Sequence, residues 1–174
     1  WKDITIQNLV DHRGGWDREK SGDFTFHSKL IAEQLHVPLK KMEPMHLVKW
    51  ALGKPLDFDP GARSVYSNFG YILLARVVEK VSGKPFVDYL RDTIGTTAGM
   101  TTLLLSRSDP PDRLPAEMWY CLNPEYTAKE TPWALRVECK DGSGALACSA
   151  DDYCRFLEHY SITGQPRRRG GKYI

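Results

Sequence analysis

In Tyr66-Ser67-Asn68, residue type and placement together suggest chemistry. The run follows a turn, Asp59-Pro60-Gly61, in which proline presets one dihedral and glycine takes the next without steric cost. It precedes a helix, because Ile72, Leu73, Val77, Val78 and Val81 recur at helical spacing and Gly83 marks the stop. Unpaired N–H groups and aligned peptide dipoles put partial positive charge at such a helix start, which favours a phenolate. A phenol holds its proton to about pH 10, and base work near neutrality asks for roughly 4 kcal/mol of extra stabilisation of the anion. One helix terminus contributes at most about 2 kcal/mol. A catalytic Tyr66 therefore calls for a lysine or another cation close by. Asn68 has a carbonyl oxygen and amide protons that suit either a substrate carbonyl or a helix N-cap, and both roles fit together because they use separate groups. Taken alone, Tyr66 reads as a helix-start residue hydrogen-bonded locally, and Ser67 as a spacer.

The elements that would hold this run are mostly helical. Asp3 or Thr5 can cap a short helix to about residue 12, with Ile6, Leu9 and Val10 apolar and Gly14-Gly15 as its end. Residues 16–25 are charged and lack a period, so they read as a surface loop. Leu30, Ile31 and Leu35 predict a helix over 26–35, stopped near Pro38. Pro44 suits the first turn of a helix reaching Gly53, with Met45, Leu47, Val48, Ala51 and Leu52 apolar. The helix after Asn68 shows only Arg76, Glu79 and Lys80 as a polar stripe, which predicts that it is largely buried. Pro85 opens a further helix to about residue 94 that buries Phe86, Tyr89 and Leu90.

Residues 101–132 read as a long irregular excursion; Trp119 and Tyr120, with Trp133 just beyond, either border a cleft or pack as ordinary aromatics. Residues 133–138 alternate weakly, as a short strand would, and Asp141-Gly142 is a turn signal. Ser149-Ala150-Asp151-Asp152 resembles a capping box that starts a helix to about residue 160. The expected fold class is mainly α with few short strands, in one domain over residues 1–174, without repeats or low-complexity segments.

Composition narrows the function classes. A net charge of +2 over 174 residues implies no polyanionic partner, and the Arg167-Arg168-Arg169 run reads as a solvated linker rather than a phosphate-binding tail. Nucleic-acid binding is thereby disfavoured. No apolar run approaches the ~20 residues that span a bilayer. Cys121, Cys139, Cys148 and Cys154 contain no Cys-x-x-Cys pair and read as free thiols, with a Cys139–Cys148 disulfide as the alternative. His27, His36, His46 and His159 share no spacing that would hold a metal, His12 reads as structural, and no cofactor is called for.

Several segments together resemble the β-lactamase-related serine hydrolases, the family of class C β-lactamases, D-alanyl-D-alanine peptidases and similar esterases. They are Pro60-Gly61, Tyr66-Ser67-Asn68-Phe69-Gly70-Tyr71-Ile72-Leu73-Leu74 and Val78-Glu79-Lys80-Val81-Ser82-Gly83-Lys84. Ile4-Thr5-Ile6-Gln7-Asn8-Leu9-Val10-Asp11-His12-Arg13-Gly14-Gly15 is similar to that family's "ITIRHLLTHTSG" segment, with Gly14 where serine is usual. Gly142-Ser143-Gly144-Ala145-Leu146, Ser149-Ala150-Asp151-Asp152 and Arg155-Phe156-Leu157 are similar to its "GSGGL-STA-DLARFL" segment. The resemblance runs in the family's order over nearly the whole chain.

It implies the helical region of the serine β-lactamase/DD-peptidase (transpeptidase-like) fold, beside a central antiparallel sheet formed from polypeptide at both ends. It implies Tyr66 as general base, Asn68 orienting the substrate, and an acyl-enzyme route on an amide, β-lactam or ester. The substrate would be a small molecule or peptide, and the compartment periplasmic or secreted. The family nucleophile belongs to Ser-x-x-Lys, which sets lysine one helical turn from serine, and no serine or threonine in this sequence has lysine three positions later. The family's Lys/His-x-Gly strand does not appear before Ile174; His12-Arg13-Gly14 fits that pattern only on the wrong side of Tyr66. The expectation is the central segment of a longer enzyme, cut at both ends, inactive alone and exposing a large apolar patch. The alternative is a non-catalytic helical module that binds a peptide, a cell-wall fragment or a protein partner. Oligomeric state is open.

Overall fold

The computed structural model describes residues 1–114, 117, 118, 120, 121, 127, 128 and 135–160. Short polar side chains fix the helix starts. Thr5 caps α1 (Ile6–Val10) in a reciprocal box: its hydroxyl accepts from the Asn8 N–H, and Asn8 Oδ1 accepts from the Thr5 N–H, both at 3.0 Å. Asp17 caps the single turn α2 (Arg18–Ser21), and Asp23 starts a 3-10 turn, Phe24–Phe26, by accepting from the Thr25 N–H. α3 (Ser28–Gln34) and α4 (Pro44–Leu52) follow, the latter with proline in its first turn. α5 (Asn68–Ser82) begins at Ser67, whose hydroxyl accepts from the Gly70 N–H, and ends at Gly83 in the left-handed region, φ +70°. α6 (Phe86–Leu90) continues through a π-helical turn, Arg91–Gly95, into α7 (Thr96–Ala98).

Strands are few and short. β1 (Leu104–Leu105) pairs antiparallel with β4 (Leu146–Ala147), Leu104 opposite Ala147 and Leu105 opposite Leu146. β2 (Tyr120–Cys121) pairs antiparallel with β3 (Thr127–Ala128). α8 (Ala150–His159) follows β4. Among the described residues no helix is long and apolar enough to cross a membrane.

The main core joins α1, α3, α4 and the first turns of α5, and its centre is aromatic. Phe69 is 1% exposed and meets Trp16 edge-on at 4.9 Å, Phe24 at 4.7 Å and Trp1 at 5.8 Å between ring centroids. Offset and edge-to-face contacts of this kind add about 0.5–1.5 kcal/mol each beyond burial. Ile31, Leu47, Ile72 and Cys139 fill the rest of the interior. A smaller cluster of Leu135, Val137 and Ala145 lies with Leu105 of β1.

Several local expectations need correction. Residues 16–25 are not a surface loop: Trp16, Asp17, Phe24 and Thr25 are buried. A stretch without a period can still be interior when two aspartate caps turn it and its aromatics enter one cluster. The strand expected over 133–138 is absent over its described part, where Val137–Lys140 forms a 3-10 turn, while β1 lies inside the stretch expected to be irregular. α5 is buried only on the face carrying Phe69, Gly70, Ile72 and Ala75; Leu73, Leu74, Val77 and Val78 are half-covered and Val81 is 83% exposed. Phe86, Tyr89 and Leu90 are likewise half-buried. At α8, Ser149 caps as expected, but Asp152 does not reciprocate; its Oδ2 accepts from Thr101 and Thr102 N–H and the Thr102 hydroxyl instead, at 2.6–2.7 Å. Those bonds, the Thr102 hydroxyl first, hold the Asp152 carboxyl below its ordinary value. Trp119, residues 133–134 and Arg167 to Arg169 lie outside the described residues.

Cys139, Cys148 and Cys154 are free, so the Cys139–Cys148 pairing is not made. Burial, reinforced by the Glu138 charge, pushes the Cys139 thiol up from 9.0 to about 12. An unfolded chain therefore loses this proton near pH 9, whereas the folded chain keeps it to about pH 12. The associated stability is complete below pH 9 and is lost as pH rises toward 12, at roughly 1.4 kcal/mol per pH unit. Urea unfolding between pH 8 and 11 should show this decline, and Cys139→Ala should flatten it whatever its cost at neutral pH. An unchanged alkaline slope in that variant would rule out this thiol as the cause.

Candidate functional site

The loop before α5 hangs on the segment after α1. Asp57 N–H donates to the Gly15 carbonyl, Gly61 N–H to Arg13 and Val65 N–H to His12, each at 2.8 Å. Asp57 Oδ2 accepts from the Asp17 N–H at 2.8 Å, and Arg63 pairs with Asp17 at 2.7 Å. His12 grips both neighbours of Tyr66: besides the carbonyl bond from Val65, its Nδ1 accepts from the Ser67 N–H at 3.2 Å. Its ring lies between Tyr66, 4.7 Å away, and Tyr71, 5.0 Å away. That arrangement requires φ +56° at His12, a left-handed geometry uncommon outside glycine and asparagine.

Tyr66 is 54% exposed, and its ring packs against that of His12. Its hydroxyl donates to Asn68 Oδ1 at 3.0 Å. Asn68 Nδ2 donates in turn to Asp23 Oδ2 at 2.6 Å. The oxygen of Tyr66 thus keeps its lone pairs for a hydrogen-bond donor arriving from solvent. Among the described residues no cation hydrogen-bonds that hydroxyl; the Arg18 guanidinium carbon stands 5.9 Å from the ring centroid.

Tyr66 and Asn68 therefore stand together in the structure, two residues apart and directly bonded. The helix cap is Ser67, however, not Asn68, which is the first residue of α5 and is free to use its side chain elsewhere. Sequence reasoning missed Asp23, because an isolated aspartate forty-five positions upstream carries no spacing signal. It also took His12 only as a helix-end residue; its place beside the tyrosine loop could be suspected only from the motif it occupies.

A separate groove of about 1060 Å³ lies along the middle of α5, lined among others by Arg76, Glu79, Arg136, Glu138 and Asp141. Two of its arginines are held by carboxylates: Arg76 pairs with Asp141 and Glu79, and Arg136 with Asp109 at 2.8 Å and Glu138 at 3.2 Å. Burial raises the Asp141 carboxyl, and Arg76 works against that. Neither Tyr66 nor Asn68 lines it. Among the described residues no group of three His, Cys, Asp or Glu could hold a metal ion.

The "Beta-lactamase" family model matches residues 1–172. Penicillin-binding protein 4* of Bacillus subtilis (strain 168) is 30% identical over 170 residues, which is 90% of this chain and 35% of that protein. The mitochondrial serine beta-lactamase-like protein of Homo sapiens is 28% identical over 145 residues, 83% of this chain and 25% of its own length. Among solved structures, the penicillin-binding protein of Bacillus halodurans superposes with a TM-score of 0.67 at 28% identity, over 88% of this chain and 46% of that one. The chain thus spans 25–35% of the length of these two curated relatives, and its helix-dominated fold with few short strands is that of the helical region of these proteins.

His12→Phe keeps an aromatic ring between the two tyrosines but removes the Nδ1 acceptor, leaving the Ser67 N–H unpaired. Urea unfolding should report a loss of about 1–3 kcal/mol. His12→Asn tolerates φ > 0 and offers an oxygen near the same place, so it should lose less. Equal losses in the two variants would show that the Ser67 bond contributes nothing.

Proposed function

Since the chain belongs to the beta-lactamase family, we propose that it carries the tyrosine–asparagine half of an acyl-transfer site in a serine hydrolase. The carrying observation is the exposed Tyr66 hydroxyl, whose proton is turned toward Asn68 and whose lone pairs face outward. In this reading a serine and its lysine neighbour, neither among these 174 residues, meet the outward side of Tyr66. With the lysine's charge favouring the phenolate, Tyr66 first gives its own proton to solvent; the serine Oγ then attacks an acyl carbon as the phenolate takes the Oγ proton, and the collapse of the tetrahedral intermediate returns that proton to the leaving group. The lysine supplies the cation that the phenolate calls for and that no described residue brings to the hydroxyl. Asn68 positions the substrate from the second proton of its Nδ2, the first being held by Asp23. Backbone N–H groups would stabilise the oxyanion. An amide, a β-lactam or an ester all suit this chemistry, in a small molecule or a peptide.

A second reading, a helical module that binds a peptide, a cell-wall fragment or a protein partner, draws on one observation: no Ser-x-x-Lys occurs in the sequence. Both readings expect the 174-residue chain to form no covalent adduct with a chromogenic cephalosporin or a short-chain nitrophenyl ester, as followed by intact-mass spectrometry. A stoichiometric adduct on one of its serines would overturn the assignment of the nucleophile to other polypeptide. The readings part at Tyr66→Phe in an active enzyme containing this chain. Loss of an acid–base group should lower turnover at least about a hundredfold; turnover within a few-fold of the parent would make Tyr66 structural.

A further inference from the structure

Around Tyr66 the cations point outward and their counter-charges lie beneath them. Arg18, Lys20 and Arg63 have side chains more than half exposed, whereas Asp57 and Asp17, which pair with Lys20 and Arg63, are nearly covered. Arg18 reaches over the tyrosine itself, its guanidinium carbon 5.9 Å from the ring centroid. A guanidinium that meets a ring through its flat face keeps its in-plane N–H fork for other partners. Its one carboxylate is that of Glu19, the next residue, 3.3 Å from Nε and itself open to solvent. Such an exposed pair contributes little. Among the described residues the Arg18 side chain makes no further ion pair or hydrogen bond, so most of its five donors stay open beside the wet side of Tyr66. We propose that Arg18 is a specificity-determining residue that recognises a carboxylate on the substrate of the Tyr66 site.

The single turn that carries Arg18 is too short to persist by itself, and Asp57 supplies what it lacks. Asp57 Oδ2 accepts from the Asp17 N–H at 2.8 Å, at the start of α2, and Oδ1 accepts from the Ser21 hydroxyl, at its end. Lys20 Nζ donates to the Asp57 carbonyl at 3.1 Å. Both ends of α2 are thus pinned to the loop that leads to Tyr66. The base of Arg18 keeps its place relative to the tyrosine, which lowers the ordering cost of meeting a ligand, while its exposed head is free to turn onto one. A carboxylate matches the planar fork with two acceptor oxygens, whereas a neutral amide offers one oxygen and sets its own donors against those of the arginine. The inference rests on reading Tyr66 as part of an acyl-transfer site and narrows its substrates to those with a carboxylate a few bonds from the reacting carbonyl.

Benzoate and its neutral isostere benzamide test the anion site on the 174-residue chain itself. In nuclear magnetic resonance spectra at low ionic strength, benzoate should shift the Arg18 Nε–Hε and Tyr66 ring signals saturably, and benzamide should not. Arg18→Gln should abolish the benzoate shifts while leaving urea unfolding unchanged. Glu19→Gln, which removes the competing carboxylate, should tighten benzoate about twofold. Absent shifts, equal shifts with benzamide, or benzoate shifts that survive in Arg18→Gln would overturn the proposal. In an active enzyme containing this chain, two ester pairs locate the carboxylate. Nitrophenyl hemiglutarate against nitrophenyl butyrate reads the acyl part, and meta-acetoxybenzoate against meta-acetoxybenzamide the leaving part. In one of the pairs Arg18→Gln should lower the charged-to-neutral ratio of kcat/KM about tenfold; unchanged ratios in both pairs would also sink the assignment. If Tyr66→Phe leaves turnover intact while Arg18 still governs benzoate binding, the acyl-transfer reading falls and the anion site stands. If Tyr66→Phe is inactive and Arg18→Gln alters neither binding nor ratio, the opposite holds.

Discussion

The burial of Phe69 is the constraint on which the rest depends. It is the second residue of α5, and its ring is gripped by Trp1 at the start of the sequence and by Trp16 and Phe24 from the 16–25 stretch. That grip fixes where α5 begins. Because successive helical residues are rotated by 100°, burying Phe69 turns Asn68 toward the rim and leaves the tyrosine loop on the outside of the same turn. The aromatic cluster also draws in the Asp23–Thr25 corner, since Phe24 cannot enter the interior without carrying its two neighbours to the edge of it. Core packing and site geometry are thus set by one event.

Charge then refines what packing positions. The partners form a short series that converges on Asp23: Thr25 donates to Asp23, Asn68 donates to Asp23, and Tyr66 donates to Asn68. The single formal charge lies inside the series and the Tyr66 hydroxyl at its wet end. Such series are stiff because each member has only one arrangement that satisfies its neighbours. His12 adds the second restraint, gripping the backbone on both sides of the tyrosine while leaving its hydroxyl alone.

Much of this was legible in the sequence, for identifiable reasons. α4 and α5 have several apolar residues at helical spacing together with a proline or glycine boundary, and both lie where those signals put them. The Tyr66–Asn68 pair was legible because both residues lie in one run. What escaped was set by long-range partners. Residues 16–25 look polar because Asp17-Arg18-Glu19-Lys20 and Asp23 are charged, yet Trp16 and Phe24 are drawn inward by Phe69, far along the chain. Asp23 meets Asn68 only because the fold brings the Asp23–Thr25 corner beside the start of α5. The exposed Val81 end of α5 escaped for the reverse reason: its apolar sequence expects a cover that the described residues do not provide.

Gly142 adds a mechanical consequence. A Cβ there would stand 2.4 Å from the Tyr71 carbonyl oxygen and 2.8 Å from the Ala75 side chain, so only glycine lets the segment before β4 press so closely on α5. The Arg76–Asp141 pair fastens the same place. α5 is a rod of about 22 Å with Asn68 at its tip, and this weld lies near its middle. The β1–β4 pair and the helix that carries Asn68 are therefore joined at one close contact.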